Sequence, residues 1–118
     1  MKSLKKVQTY LLAECFNKLF IGGQFVDPID GEKFPTYYPA TGELLHELPK
    51  RKAKDVEEAI SSAEDAWAEG TWADMSAADR AEIVFKIAQG IEDNLEMLAE
   101  IEAADVGKPY RQAAKVMD

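Results

Sequence analysis

From Leu19 onward the hydrophobic pattern of this chain changes period once, near the basic run Lys50-Arg51-Lys52-Ala53-Lys54, and that change dictates strands first and helices after. Upstream, apolar and aromatic residues come in short runs broken by glycine and proline: Leu19-Phe20-Ile21, Gln24-Phe25-Val26, Lys33-Phe34-Pro35-Thr36-Tyr37-Tyr38 and Leu44-Leu45-His46-Glu47-Leu48. Downstream, they recur every three or four residues. The chain as it stands therefore reads as α+β, a short β-hairpin plus a third strand followed by four helices.

Asp30-Gly31 supplies the expected hairpin turn between the runs at 19–26 and 33–38, because both residue types tolerate positive φ. Gly22-Gly23 reads as a kink or a close backbone approach. Tyr38-Pro39-Ala40-Thr41-Gly42-Glu43 is a turn that leads into the third strand. Neither glycine pair is a phosphate loop: such a loop needs a helix opening directly after its glycines, and a strand comes next here. His46 has no carboxylate or cysteine at a recognisable spacing and reads as a partly exposed strand residue.

The first long helix places Val56, Ala59, Ile60, Ala63 and Trp67 on one stripe, with Asp55, Glu57 and Glu58 in the first turn, where the helix dipole favours negative charge. Gly70 ends this helix or the loop after it, and Ser76 reads as an N-cap with Asp79 three residues on. Ile83, Val84, Ile87 and Ile91 are the expected buried face of the second helix. Asp93-Asn94 restarts the chain as a third, burying Leu95, Leu98 and Ile101 and exposing Glu96, Glu100 and Glu102 as a solvated acidic face. A fourth begins at Pro109, with Tyr110, Ala113, Ala114 and Met117 at helical spacing, and neither cap nor glycine closes it, the pattern of a sequence cut short.

Residues 1–18 form an N-terminal extension in which Leu4, Val7, Leu11, Leu12, Cys15 and Phe16 recur at helical intervals. A helix so short persists only with tertiary packing, so a frayed extension is the default expectation. The apolar run Tyr10 to Phe16 is too short to span a bilayer and is interrupted by Glu14. With 22 acidic against 14 basic residues the net charge is −8, which opposes binding to nucleic acid or an anionic membrane. The lone cysteine, Cys15, cannot form an internal disulfide, has no neighbouring base, and reads as an inert apolar residue in a cytoplasmic protein.

Between the third and fourth helices stands Asp105-Val106-Gly107-Lys108-Pro109, a helix stop followed by a helix start. Taken with Leu19-Phe20-Ile21-Gly22-Gly23, Tyr38-Pro39-Ala40-Thr41-Gly42-Glu43, Asp55-Val56 through Ala66-Trp67, Arg80 and Leu98-Ala99-Glu100, this corner completes an ordered set that resembles the N-terminal part of the NAD(P)-dependent aldehyde dehydrogenase superfamily, over about residues 19–118. The pattern is similar to betaine-aldehyde and other broad-specificity members. The resemblance implies that 19–118 are an incomplete domain, the opening part of an α/β cofactor-binding domain whose nucleotide-binding sheet comes from later sequence.

Family chemistry is oxidation of an aldehyde to a carboxylic acid: a cysteine thiolate adds to the carbonyl, hydride passes to NAD or NADP, and a glutamate activates water on the thioester. The nucleophile, general base and cofactor loop have no counterpart here, so no catalytic or cofactor-binding residue is assigned and no nucleotide is expected on this piece. An aldehyde substrate and the homo-oligomeric assembly of the family are implied only for a full-length enzyme. Several members hold a structural Na+ or K+ through backbone carbonyls before an Asn-Pro turn and the aspartate before the Gly-Lys-Pro corner. The matching candidates are Thr36, Tyr37 and Asp105, with Tyr38 standing where the family usually has asparagine. The reading from a different class is a non-catalytic α+β protein-interaction module.

Overall fold

The structure, a computed structural model, describes residues 4–117, with side chains as far as Lys115. The first three residues of the extension and the side chain of Met117 lie outside the described residues. The elements run α1 (Leu4–Tyr10), α2 (Glu14–Asn17), β1 (Leu19–Ile21), β2 (Gln24–Val26), β3 (Lys33–Tyr37), β4 (Leu44–Pro49), α3 (Ala53–Ala68), α4 (Ala77–Asp93), α5 (Leu95–Val106) and α6 (Tyr110–Met117). The expected order of strands before four helices is present.

Strand pairing differs from the expectation. There are two separate antiparallel hairpins, β1 with β2 and β3 with β4. Gly22 and Gly23, at φ 61° and 76°, are the two-residue turn of the first, which registers Ile21 opposite Gln24 and Leu19 opposite Val26. Two consecutive positive-φ residues match the right-handed twist of the strands, and closing so short a loop costs less entropy than closing the longer 27–32 segment. The Gly22-Gly23 kink is therefore corrected to a hairpin turn. Asp30-Gly31 does turn the chain, with the Gly31 N–H donating to the Pro28 carbonyl at 2.9 Å, but between the hairpins rather than within one.

Residues 4–17 are largely helical and packed rather than frayed. Val7 and Leu11 are buried with Tyr38, Leu45 and Ala104, and Leu4, Phe16 and Ile101 pack around them. This contact with the second hairpin and α5 supplies the tertiary support that such short helices need. A second cluster, Ala99, Ala103 and Ala113, lies between α5 and α6, where methyl-sized side chains let the two helices approach closely.

Capping follows the sequence. Ser76 Oγ accepts the Asp79 N–H at 3.1 Å at the start of α4. Gly107, at φ 72°, ends α5 with its N–H on the Ala103 carbonyl at 3.1 Å. Asn94 instead donates its side-chain amide to the Gly90 carbonyl at 2.8 Å, closing the end of α4.

Two burial expectations are overturned. The apolar face of α4 is not covered: Val84 is 57% and Ile87 60% exposed, and no residue of that helix is buried. An amphipathic stripe is buried only where a second surface meets it, and among the described residues none covers this one beyond half-burying Ile83. Conversely, Glu100 is buried, because α5 turns Ala99, Glu100, Ala103 and Ala104 inward and leaves Leu95, Leu98 and Ile101 half-buried.

The molecule is long and thin, 49 × 36 × 18 Å, with a radius of gyration of 17.1 Å. A compact domain of this length has a radius of gyration of about 13.5 Å. Its accessible surface is 8362 Å². A monomer of this mass normally shows about 6,400 Å², so roughly 2,000 Å² is exposed that a compact fold would cover.

Candidate functional site

The turn that joins β3 to β4 is built by backbone chemistry. The Tyr38 N–H donates to the Glu43 carbonyl at 2.8 Å, and the Tyr38 carbonyl accepts from Gly42 at 2.8 Å and Thr41 at 3.3 Å. Gly42 takes φ 75°, and Thr41 Oγ1 donates to Glu43 Oε2 at 2.8 Å. The register passes from Thr36 opposite His46 to Tyr37 opposite Leu44. The extra residue on β4, Leu45, is buried in the leader cluster. The bulge thereby aims both Tyr38 and Leu45 at α1 and α5.

The corner after α5 meets this turn directly. A Cβ on Gly107 would stand 3.4 Å from Pro39 Cβ, an ordinary van der Waals contact, so glycine is needed there for its positive φ rather than for space. Thr36 and Tyr37 lead into the turn, and Asp105 lies two residues before Gly107. Thr36 is half-buried and donates Oγ1 to the His46 carbonyl at 3.4 Å, while Tyr37 and Asp105 are exposed. Their oxygen donors are of the hard type that suits Na+ or K+, and Asp105 forms no ion pair or side-chain hydrogen bond among the described residues. No group of three His, Cys, Asp or Glu placed to hold a metal occurs among the described residues.

Two polar hubs were not legible as such in the sequence. Asp55, buried near the start of α3, accepts the Ile29 N–H on Oδ1 at 2.9 Å and the Lys52 N–H on Oδ2 at 2.8 Å. It ties the segment between the hairpins to the helix N-terminus. Its position in the first helical turn signalled a dipole role, but nothing local marked the long-range bond to Ile29. Lys52 reaches Asp30 at 2.8 Å and Glu32 at 2.7 Å. Hydrogen bonding and charge from Lys52 hold both carboxyls below their ordinary values of 3.8 and 4.5, and the two carboxylates hold the Lys52 ammonium above its ordinary 10.5.

A pocket of about 220 Å³ opens between α1, the turn and α5, lined among others by Val7, Tyr38, Glu100, Ala103 and Tyr110. Lys6 spans its acidic side, 3.2 Å from Glu100 Oε2 and 3.4 Å from Glu96 Oε1, which neutralises the carboxylate that burial would otherwise penalise. His46 is half-buried on β4, and its Nε2 has no hydrogen-bond partner among the described residues. Cys15 is exposed on α2. Neither has a hydrogen-bonded or ion-paired titratable partner among the described residues. A shallow groove of about 380 Å³ runs between β1 and α3, floored by Ile21, Val56, Ala59 and Ile60.

Two antiparallel hairpins, one of them bulged, are thus braced by a leader helix and by a helix-to-helix corner. The family model of the aldehyde dehydrogenase family matches residues 25–118, and the chain belongs to that family. Benzaldehyde dehydrogenase, mitochondrial, of Antirrhinum majus is 40% identical over 101 residues, covering 86% of this chain and 19% of the relative. Aldehyde dehydrogenase B of Escherichia coli is 43% identical over 95 residues, covering 80% of this chain and 18% of the relative. Among solved structures, an aldehyde dehydrogenase variant from Bacillus cereus superposes with a TM-score of 0.85 at 41% identity, over 93% of this chain and 22% of that one. A Staphylococcus aureus betaine aldehyde dehydrogenase in complex with NAD+ superposes with a TM-score of 0.90 at 25% identity, over 98% of this chain and 23% of that one. The chain thus spans about a fifth of the length of its relatives.

Proposed function

We propose that this polypeptide is the opening structural segment of an NAD(P)-dependent aldehyde dehydrogenase and contributes scaffold, not reacting groups. The observation that carries this reading is the pairing of a family match over 25–118 with apolar helix faces left uncovered. A segment cut from the start of a larger domain has that character; a self-sufficient module of this size does not.

The lone thiol supports the same reading. Cys15 precedes the matched region, and its neighbours offer no base to activate it. Aldehyde oxidation, NAD or NADP binding and homo-oligomeric assembly belong on this reading to a polypeptide carrying the remaining four fifths of the fold. At the Pro39–Gly107 contact, Thr36, Tyr37 and Asp105 would hold a structural Na+ or K+, whose charge would brace the corner against the turn. A reducing, cytoplasmic setting accords with the single cysteine.

The packed leader favours a second reading, an independently folded interaction module, because Val7 and Leu11 give the chain a core of its own. A hydrophobic dye separates the two: a scaffold segment binds it at rest through its uncovered apolar faces, whereas a self-contained module does not.

A further inference from the structure

We infer that α1, with Leu11 just after it, is a clamp that couples the β3–β4 turn to the corner after α5, and that Val7 and Leu11 are positioning residues for both segments. This goes beyond the scaffold reading and does not depend on it, since residues 4–17 precede the matched region 25–118.

The helix holds the two segments from its two flanks. Lys6 and Gln8 stand about 100° to either side of Val7 around the helix axis. On one flank Gln8 donates Nε2 to the Leu44 carbonyl of the hairpin at 2.9 Å. On the other, the Lys6 ammonium lies 3.2 Å from Glu100 Oε2 and 3.4 Å from Glu96 Oε1 on α5. Between these arms Val7 and Leu11, one helical turn apart, are buried in a single cluster that takes Tyr38 from the turn and Ala104 from α5. Asn17 steadies the end of the clamp by donating Nδ2 to the Leu11 and Ala13 carbonyls at 2.9 and 2.8 Å.

Where turn and corner meet directly the contact is apolar: Pro39 carbons lie within van der Waals reach of the Gly107 Cβ position. A few such atom pairs contribute little by themselves. The leader adds buried side chains, an amide hydrogen bond and an ion pair to the same junction, so the junction opens only as the leader lets go of one side. Thr36 and Tyr37 lie just before the turn and Asp105 just before Gly107, so the clamp sets the spacing of these oxygen donors whether or not an ion is bound.

The test is amide hydrogen exchange on the whole 118-residue chain, which reads local opening site by site. The reporters are the Tyr38 and Gly42 N–H groups in the turn and the Gly107 N–H in the corner, each bonded to a backbone carbonyl. The Glu69 and Arg80 N–H groups, bonded likewise at the end of α3 and the start of α4, are controls. Val7→Ala should accelerate all three reporters together, by at least about tenfold, and leave both controls unchanged. Leu12→Ala, at an exposed leader position, should alter none of them. Coupling is reciprocal, so Gly107→Ala, strained at φ 72°, should loosen the leader and speed the Leu11 N–H, which donates to the Val7 carbonyl at 3.1 Å. Acceleration of the turn alone overturns the clamp, because the leader then props only the hairpin. Equal acceleration at the controls overturns it as well, because the leader then serves overall stability. If Val7→Ala does not fold, Gln8→Met, which removes only the bond to the Leu44 carbonyl, is read on the same reporters with the same two contrary outcomes. A Leu11 N–H indifferent to Gly107→Ala overturns the coupling from the other side.

Discussion

Asp55 shows how one side chain can join the segment between the hairpins to the start of a helix. Its carboxylate takes backbone donors from Ile29 and Lys52, so Asp55→Ala strands two N–H groups in a partly buried setting. The expected loss is about 1–3 kcal/mol, read as a lower urea midpoint, with Asp55→Asn recovering part of it. Lys52 makes a prediction in pH. Asp30 and Glu32 are held below 3.8 and 4.5, so their pairing contributes above those values and is lost as pH falls through the lowered ones; Lys52 is held above 10.5, so its contribution persists to high pH and is lost only as pH rises past its raised value. Carboxyl NMR titration should place both midpoints below their ordinary values, and Lys52→Met should return them. These three residues sit on exposed chain, so the pairing orders the segment more than it stabilises the fold. At this scale the sequence announced caps but not hubs. Ser76 with Asp79, and Gly107, are local signals and were readable; the Asp55–Ile29 bond spans two elements and was not.

Among the elements, the hairpins carry the clearest lesson. Asp-Gly is the stronger turn signal by type, yet Gly22-Gly23 makes the tight turn, because two adjacent residues at positive φ close strands across the shortest loop. Gly23→Ala should cost about 1 kcal/mol through φ alone, since open space surrounds its Cβ position, and a thermal melt would show it. Gly22→Ala should cost more, because Ser62 Oγ lies 3.3 Å from the added methyl. The leader is a second case. Its periodicity was visible, but whether so short a helix persists depends on what it touches, and only the fold reveals Val7 and Leu11 against Tyr38 and Leu45. Val7→Asp places a charge in that cluster and should detach α1, seen as loss of helical ellipticity and a melting midpoint lowered by several degrees. On α4 the spacing correctly marked an apolar face; its burial could not be read from the stripe, since burial depends on whether a second surface meets it, and among the described residues none buries it.

For the whole molecule, the scaffold reading gives the thin shape and the surplus surface one cause, a layer that belongs to a larger domain. In the sequence that property was legible through the order of family-like segments, from Leu19-Phe20-Ile21 to the Gly107 corner, and the match over 25–118 carries it. The ligation of Na+ or K+ by Thr36, Tyr37 and Asp105 was implied by that order alone; the structure adds that the two segments meet at Pro39 and Gly107. Small-angle scattering from the isolated chain should return a radius of gyration near 17.1 Å if the uncovered layer stays open in solution. The most direct measurement is formation of NADH or NADPH by the purified 118 residues over a panel of aldehydes. A scaffold segment forms none, with or without Cys15→Ser. Turnover by the chain alone would contradict that role, and loss of the turnover in Cys15→Ser would place the chemistry on the one thiol that has no base beside it.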